Sequence, residues 1–408
     1  MVADSDFMNV RTQLRRLAVI VLTGAVVSGT AGAQQTRTEA IEQAQAAKAT
    51  TLAPYVPGKI ERFLDQTEKG AWLDPKFLYG FYPTFSSIYP GGGFTVGAGY
   101  RAYTGYYSHV DVRGLVSLSG FAQVEAAAAA PRMADGAVDL TARVGWRDAA
   151  RIPYFGLGPT SLASDRTNAR VSEIYAEGAA LYRPARKVFV RGATSYEAYS
   201  EGTATGRFLP VQARFDDATA PGLGQDPVFM HLQTQVGVDW LDSPLYSRRG
   251  GFYRGGYDQY LSAGEGDTFA TLRTDLVQHI PVRRETWVLS LRGRTESVVS
   301  GDAPYFLMPY LGDGNSLRGY STARFRDRHT ALGSAEWRWI PNRAALDLAL
   351  FVDAGTVARD FGALSLRELK TDYGIGVRFH TLSATVLRLD LARGSEGWRV
   401  VFGTSAPF

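Results

Sequence analysis

The sequence predicts an all-β protein, a 16-stranded antiparallel transmembrane β-barrel of the outer membrane with a short helical N-terminal extension. Three observations predict it. Apolar and polar residues alternate with period two in segments about ten residues long, as in barrel strands that face lipid on one side and a polar lumen on the other. The long connections all come after odd-numbered segments. The composition suits such a wall: 44 glycines, 21 tyrosines, 21 phenylalanines and no cysteine among 408 residues, with a mean hydropathy slightly below zero.

The chain opens on a secretory signal. Arg11, Arg15 and Arg16 form a basic start, residues 17–27 an apolar run too short to span a bilayer, and Ala31-Gly32-Ala33 a cleavage pattern. Residues 1–33 are therefore read as a signal peptide, and export is expected. Residues 34–76 differ in pattern from the rest of the chain. Residues 36–50 are rich in Ala, Gln and Glu, and Ile60, Phe63 and Leu64 share one helical face. They are read as a periplasmic helical extension or leader able to meet a periplasmic partner. The formal net charge of +4 is too mild to argue for nucleic acid.

The barrel is expected over 77–408. Strands are predicted at 77–88, 93–103, 108–118, 120–129, 137–149, 169–182, 187–199, 229–241, 251–262, 267–280, 286–298, 329–340, 346–355, 370–381, 384–393 and 397–408. The count, about sixteen, is even, as in bacterial barrels. The long stretches 150–168, 200–228, 299–328 and 356–369 come after the fifth, seventh, eleventh and thirteenth strands. With a periplasmic N-terminus these are the extracellular loops. The short turns, such as 183–186, 281–284 and 341–344, fall after even strands. In the last strand Trp398, Val400, Phe402, Thr404, Ala406 and Phe408 share one parity. Phe402 and the terminal Phe408 then resemble the signal that outer-membrane assembly machinery reads.

The most unusual stretch is the polar loop 312–328, with Arg318, Arg324, Arg326 and Arg328. Parity puts Glu336 on the polar face of the twelfth strand and Asp353 on that of the thirteenth. Neighbouring strands lie about 4.8 Å apart, so one planar guanidinium can reach both carboxylates. Gly314 and Gly319 are expected to let the loop turn sharply on either side of Arg318.

Leu317-Arg318-Gly319-Tyr320 resembles the V/L-R-G-F/Y motif of the bacterial surface antigen superfamily of outer-membrane barrels, the BamA/TamA/FhaC-like proteins. Phe351-Val352-Asp353-Ala354-Gly355 is similar to its F-x-D-x-G motif, and Ala335-Glu336-Trp337 to the segment with its second lumenal carboxylate. The resemblance implies a sixteen-stranded barrel whose sixth extracellular loop tucks into the lumen, its arginine paired with the strand carboxylates. It also implies a role in envelope biogenesis, through protein or lipid insertion or translocation. Arg318, Gly319, Tyr320, Glu336 and Asp353 would form a lumenal latch, with Phe351 and Gly355 completing the strand motif. Residues 34–76 are too few for a POTRA (polypeptide-transport-associated) domain, so a POTRA-less member is expected. Residues 154–159 with Asp165 and Arg166 resemble a loop segment of smaller barrels of this kind.

Two other readings compete: a passive or structural barrel without transport, and an outer-membrane hydrolase. None of the five histidines sits beside a nucleophile in a motif. His380 carries lumenal parity, which could bring it to Arg388 or Asp390, and it reads as a satisfied lumenal histidine. Asp216, Asp217 and Asp226 read as solvated loop residues rather than a cation site. No catalytic residue, metal ligand or cofactor is assigned. The expected partners are outer-membrane lipid, the assembly machinery and a periplasmic protein, in a Gram-negative bacterium.

Overall fold

The structure is a computed structural model that describes residues 79–408 apart from 284, 342–344 and 382–383. The signal peptide and helical extension expected over 1–76 lie outside the described residues.

Sixteen antiparallel strands form one sheet in sequence order. They are β1 (Gly80–Phe85), β2 (Thr95–Tyr103), β3 (His109–Ser117), β4 (Ala122–Arg132), β5 (Val138–Tyr154), β6 (Thr167–Ala185), β7 (Val188–Gly202), β8 (Val228–Asp239), β9 (Gly250–Ser262), β10 (Phe269–Arg283), β11 (Trp287–Ser300), β12 (His329–Trp339), β13 (Ala345–Ala358), β14 (Lys370–His380), β15 (Thr385–Gly394) and β16 (Gly397–Gly403). No helix among the described residues is long and apolar enough to cross a membrane. A closed sheet is the other spanning solution, because it satisfies backbone groups between strands.

The period-two pattern sorts side chains to two faces. On β13, Asp347, Ala349, Phe351 and Asp353 are buried inside, while Leu348, Leu350 and Val352 are exposed on the outer wall. The outer face also carries Phe81, Tyr100, Tyr182, Tyr253, Trp339, Trp398 and Phe402, as an aromatic-girdled lipid band requires. The inner face is lined with ion pairs between neighbouring strands, among them Arg101–Asp111, Arg113–Glu125, Arg273–Asp258 and Arg292–Asp275. Such cross-strand pairs satisfy charges turned inward.

The connections differ at the two ends of the barrel. At the loop end, 155–166, 203–227 and 301–328 pack together over the lumen. Tyr154 meets Phe215 and Tyr305 at ring-centroid distances of 4.9 and 5.0 Å, and Tyr199 meets Phe306 at 5.4 Å. The amide of Gly158 donates to the Arg326 carbonyl at 2.9 Å, so the 154–159 segment docks on the long loop. Asp216, Asp217 and Asp226 accept backbone amides of Thr219, Gly222 and Glu201. At the turn end, 240–249 crosses inward. Leu245 bridges to Ala384, and the Tyr246 hydroxyl donates to Asp347 at 2.6 Å.

Two expectations need correction. β5 runs to Tyr154, five residues past its predicted end at 149, because 152–154 pair with 167–169 beyond a bulge. β16 stops at Gly403 rather than reaching Phe408. Its ladder with β15 ends at Arg388–Gly403, and Pro407 has no amide to extend one. The tail instead turns inward. The Pro407 carbonyl accepts from Arg292 at 3.3 Å, and the Phe408 ring lies parallel to His279 at 6.4 Å. His380, read as a satisfied lumenal histidine, finds its partners away from Arg388 and Asp390. It pairs with Asp347 at 3.0 Å and stacks on Tyr246 at 4.2 Å.

Candidate functional site: the inward loop and its carboxylates

Loop 301–328 leaves β11 at the loop end and descends into the lumen. A two-residue ladder ties its limbs, Tyr310–Leu311 against Phe325–Arg326. Leu311, Leu317, Tyr320 and Phe325 pack with Leu332 and Val357 of the wall. This apolar patch explains why a polar loop leaves water.

Arg318 lies at the end of the excursion and is 1% exposed. Its Nε and Nη2 donate to Asp353 at 2.8 and 3.1 Å, and its Nη1 to Glu336 at 2.8 Å. The guanidinium also lies 3.5 Å from the centroid of the Phe351 ring, a cation–π contact strengthened by desolvation. Burial alone would lower the Arg318 pKa, but the charges of Asp353 and Glu336 outweigh it and hold the group protonated, raised above its ordinary value.

Four more charged residues, which parity puts inward without naming partners for them, extend this cluster. Arg378 of β14 donates to the same Glu336 oxygen at 2.8 Å and to Asp390 of β15. Arg388 donates to the Gly314 carbonyl and the Asn315 amide oxygen at 2.7 and 3.1 Å, holding the loop tip. Asp372 of β14 lies opposite Asp353. The signal available in the sequence was the alternation in 373–380 and 387–391, which turns Arg378, Arg388 and Asp390 inward.

The other loop arginines also find partners. Arg324 reaches Glu396 at 2.6 Å and Ser161 at 2.8 and 2.7 Å. Arg326 donates to the Tyr305 carbonyl, and Arg328 to Asp302 at 2.5 Å. The Tyr320 hydroxyl donates to the Thr371 carbonyl at 3.2 Å and lies 3.1 Å from the Ser395 hydroxyl.

The glycines act differently from the expectation. Gly312, at φ +100°, makes the turn, and Leu317, at φ +44°, makes the next. Neither Gly314 nor Gly319 has positive φ. Gly319 is needed for space, since a Cβ there would sit 2.6 Å from the Gly394 amide and 2.7 Å from the Asp372 Cβ. Gly355 of the strand motif likewise makes room, for Leu311 of the loop at 2.7 Å.

Residues 209–399 match the Omp85 superfamily domain, a span that holds the loop, Glu336, Asp353 and every other charged partner in the cluster. The chain carries an Omp85 superfamily domain. Its fold is similar to that of the BamA/TamA/FhaC-like surface-antigen barrels of the Gram-negative outer membrane. Among solved structures, BamA from Haemophilus ducreyi lacking POTRA domains 1-3 is similar at 14% identity and a TM-score of 0.58, over 79% of this chain and 68% of that one. CdiB from Acinetobacter baumannii is 13% identical with a TM-score of 0.47, over 76% of this chain and 56% of CdiB. No curated protein matches the sequence. Phe402 and Phe408 lie beyond the matched span of the Omp85 domain.

Proposed function

We propose that this Omp85 barrel acts in envelope biogenesis, moving or inserting protein or lipid at the outer membrane, with the 312–328 loop as the plug of its lumen. The observation that carries this reading is Arg318, buried among Glu336, Asp353 and Phe351 on the inner wall. An arginine needs such partners to be stable away from water, so the loop has an inward seat specified by charge and not by apolar packing alone. The edge strands β1 and β16 each have one neighbour among the described residues, which supports a seam through which a client could pass. Phe402 at the wall end of β16 is assigned to recognition by the assembly machinery, and residues 34–76 to contact with a periplasmic partner.

Planar-bilayer conductance tests the plug. The wild-type barrel is expected to pass little current, and deletion of 312–328 to raise it. Equal conductance of the two proteins would overturn the plug, and a wild type already open at rest would favour a passive pore. Crosslinking from residues 34–76 in intact envelopes tests the biogenesis role. Capture of a periplasmic protein supports it.

A further inference from the structure

One charged group in this cluster has no counter-charge. Asp372 is 1% exposed, and no cationic side chain hydrogen-bonds to it; the polar groups beside its carboxylate are the Gly319 amide and the Asp353 carboxyl. It faces Asp353 across the β13–β14 ladder. The cations around it are committed elsewhere. Arg318 gives Nε and Nη2 to Asp353 and Nη1 to Glu336. The Lys370 ammonium lies 5.5 Å from the Phe325 ring and the Arg393 guanidinium 5.2 Å from that of Trp398. From the adjoining turn Glu396 holds Arg324. From the loop, Tyr320 bonds to Thr371 and Ser395, and Gly319 packs against the Asp372 Cβ.

We propose that Asp353 and Asp372 form a proton-binding site, and that a proton taken up there accompanies seating of the loop. This rests on the plug reading above. Two facing carboxylates, only one of them bonded to a guanidinium, cannot both ionise cheaply in a site closed to water. Asp353 takes the guanidinium, so Asp372 holds the proton. The loop itself closes the site, through Gly319 and Tyr320. When the loop withdraws, water reaches Asp372 and the proton leaves, since a hydrated aspartate ionises near pH ~3.9. Seating therefore binds one proton. Because the seated form binds more protons than the withdrawn form, its advantage is greatest at low pH and is lost as pH rises. In the window where Asp372 is protonated when seated and ionised when withdrawn, the withdrawn-to-seated ratio grows up to about tenfold per pH unit.

The chain has no cysteine, so nitroxide labels can be placed on Thr322→Cys, a partly exposed residue of the same loop, and on Gly362→Cys, where an added Cβ meets nothing within 4 Å. Electron–electron distance measurements in nanodiscs then read seated and withdrawn populations directly. Raising the pH from about 5.5 to about 8.5, within the range above the ordinary aspartate value, is expected to increase the withdrawn fraction. Asp372→Asn mimics the protonated acid and should remain seated at both values. His329→Gln, next to the loop, should titrate like the wild type. Heat-modifiable gel mobility confirms that each variant is folded. Distance distributions that superimpose at both pH values, or a folded Asp372→Asn that still shifts, would overturn the proton site while leaving a seated plug intact. Labels withdrawn at every pH would overturn the plug and the proton site together.

Discussion

Arg318 shows what a single residue contributes here. Its planar fork satisfies Asp353 with two donors and Glu336 with a third, a pattern that the point charge of lysine cannot reproduce. Glu336 retains Arg378 if Arg318 is removed, but Asp353 is left beside Asp372 with no cation. Removing one partner of a buried pair costs about 3–5 kcal/mol. Because the loop can leave, this cost is expected to appear as loop release rather than unfolding. Arg318→Ala should therefore speed proteolysis between 312 and 328 with little change in the thermal midpoint of the barrel, and Arg318→Lys should fall between it and the wild type. Unchanged cleavage of both variants would sink the assignment. Glu336 and Asp353 were legible from parity and strand spacing, and the inward place of Arg318 from the family motif that 317–320 resembles. The pairings of Asp372, Arg378, Arg388 and Asp390 were not, because parity gives the face of a residue but neither its height in the barrel nor its partner.

At the scale of elements, the strands were legible because a lipid band and a polar lumen impose opposite chemistry on successive residues. Their ends were less so. β5 extends past its expected end, and β16 stops where Arg388 meets Gly403. The least legible element was the 240–249 turn. Its residues look like a solvated connection, yet Tyr246 is buried at the turn end, where it joins Asp347, His380, Val288 and Ile340. Nothing local marks that docking, since its partners come from strands distant in the chain. Tyr246→Phe keeps the ring stack and removes one hydrogen bond to a buried carboxylate, an effect of about 1–3 kcal/mol. Amide exchange of 240–249 should accelerate in this variant while that of β8 and β9 is unchanged. Equal exchange in the two proteins would mean that the hydroxyl does not hold the turn.

At the scale of the whole molecule, the ladders run from β1 to β16, and the two outer strands are short and lack a second partner among the described residues. Elsewhere each strand has two neighbours, and backbone groups in lipid are costly without partners. What joins the edges is aromatic. Phe402 of β16 meets Phe94, just before β2, at 5.9 Å, and Phe94 meets Phe85 of β1 at 6.1 Å. Ring contacts pair side chains without fixing a backbone register, whereas a ladder of backbone hydrogen bonds would lock one. The wall should therefore be weakest at this seam. A bifunctional thiol reagent is expected to join Phe94→Cys to Phe402→Cys in the folded protein. In the uncrosslinked barrel, amides of 80–85 and 397–403 should exchange faster than those of β12 to β14, and the crosslink should slow them. Edge strands as protected as the central ones before crosslinking would show a continuous ladder, and the seam would then not be the place where the barrel opens.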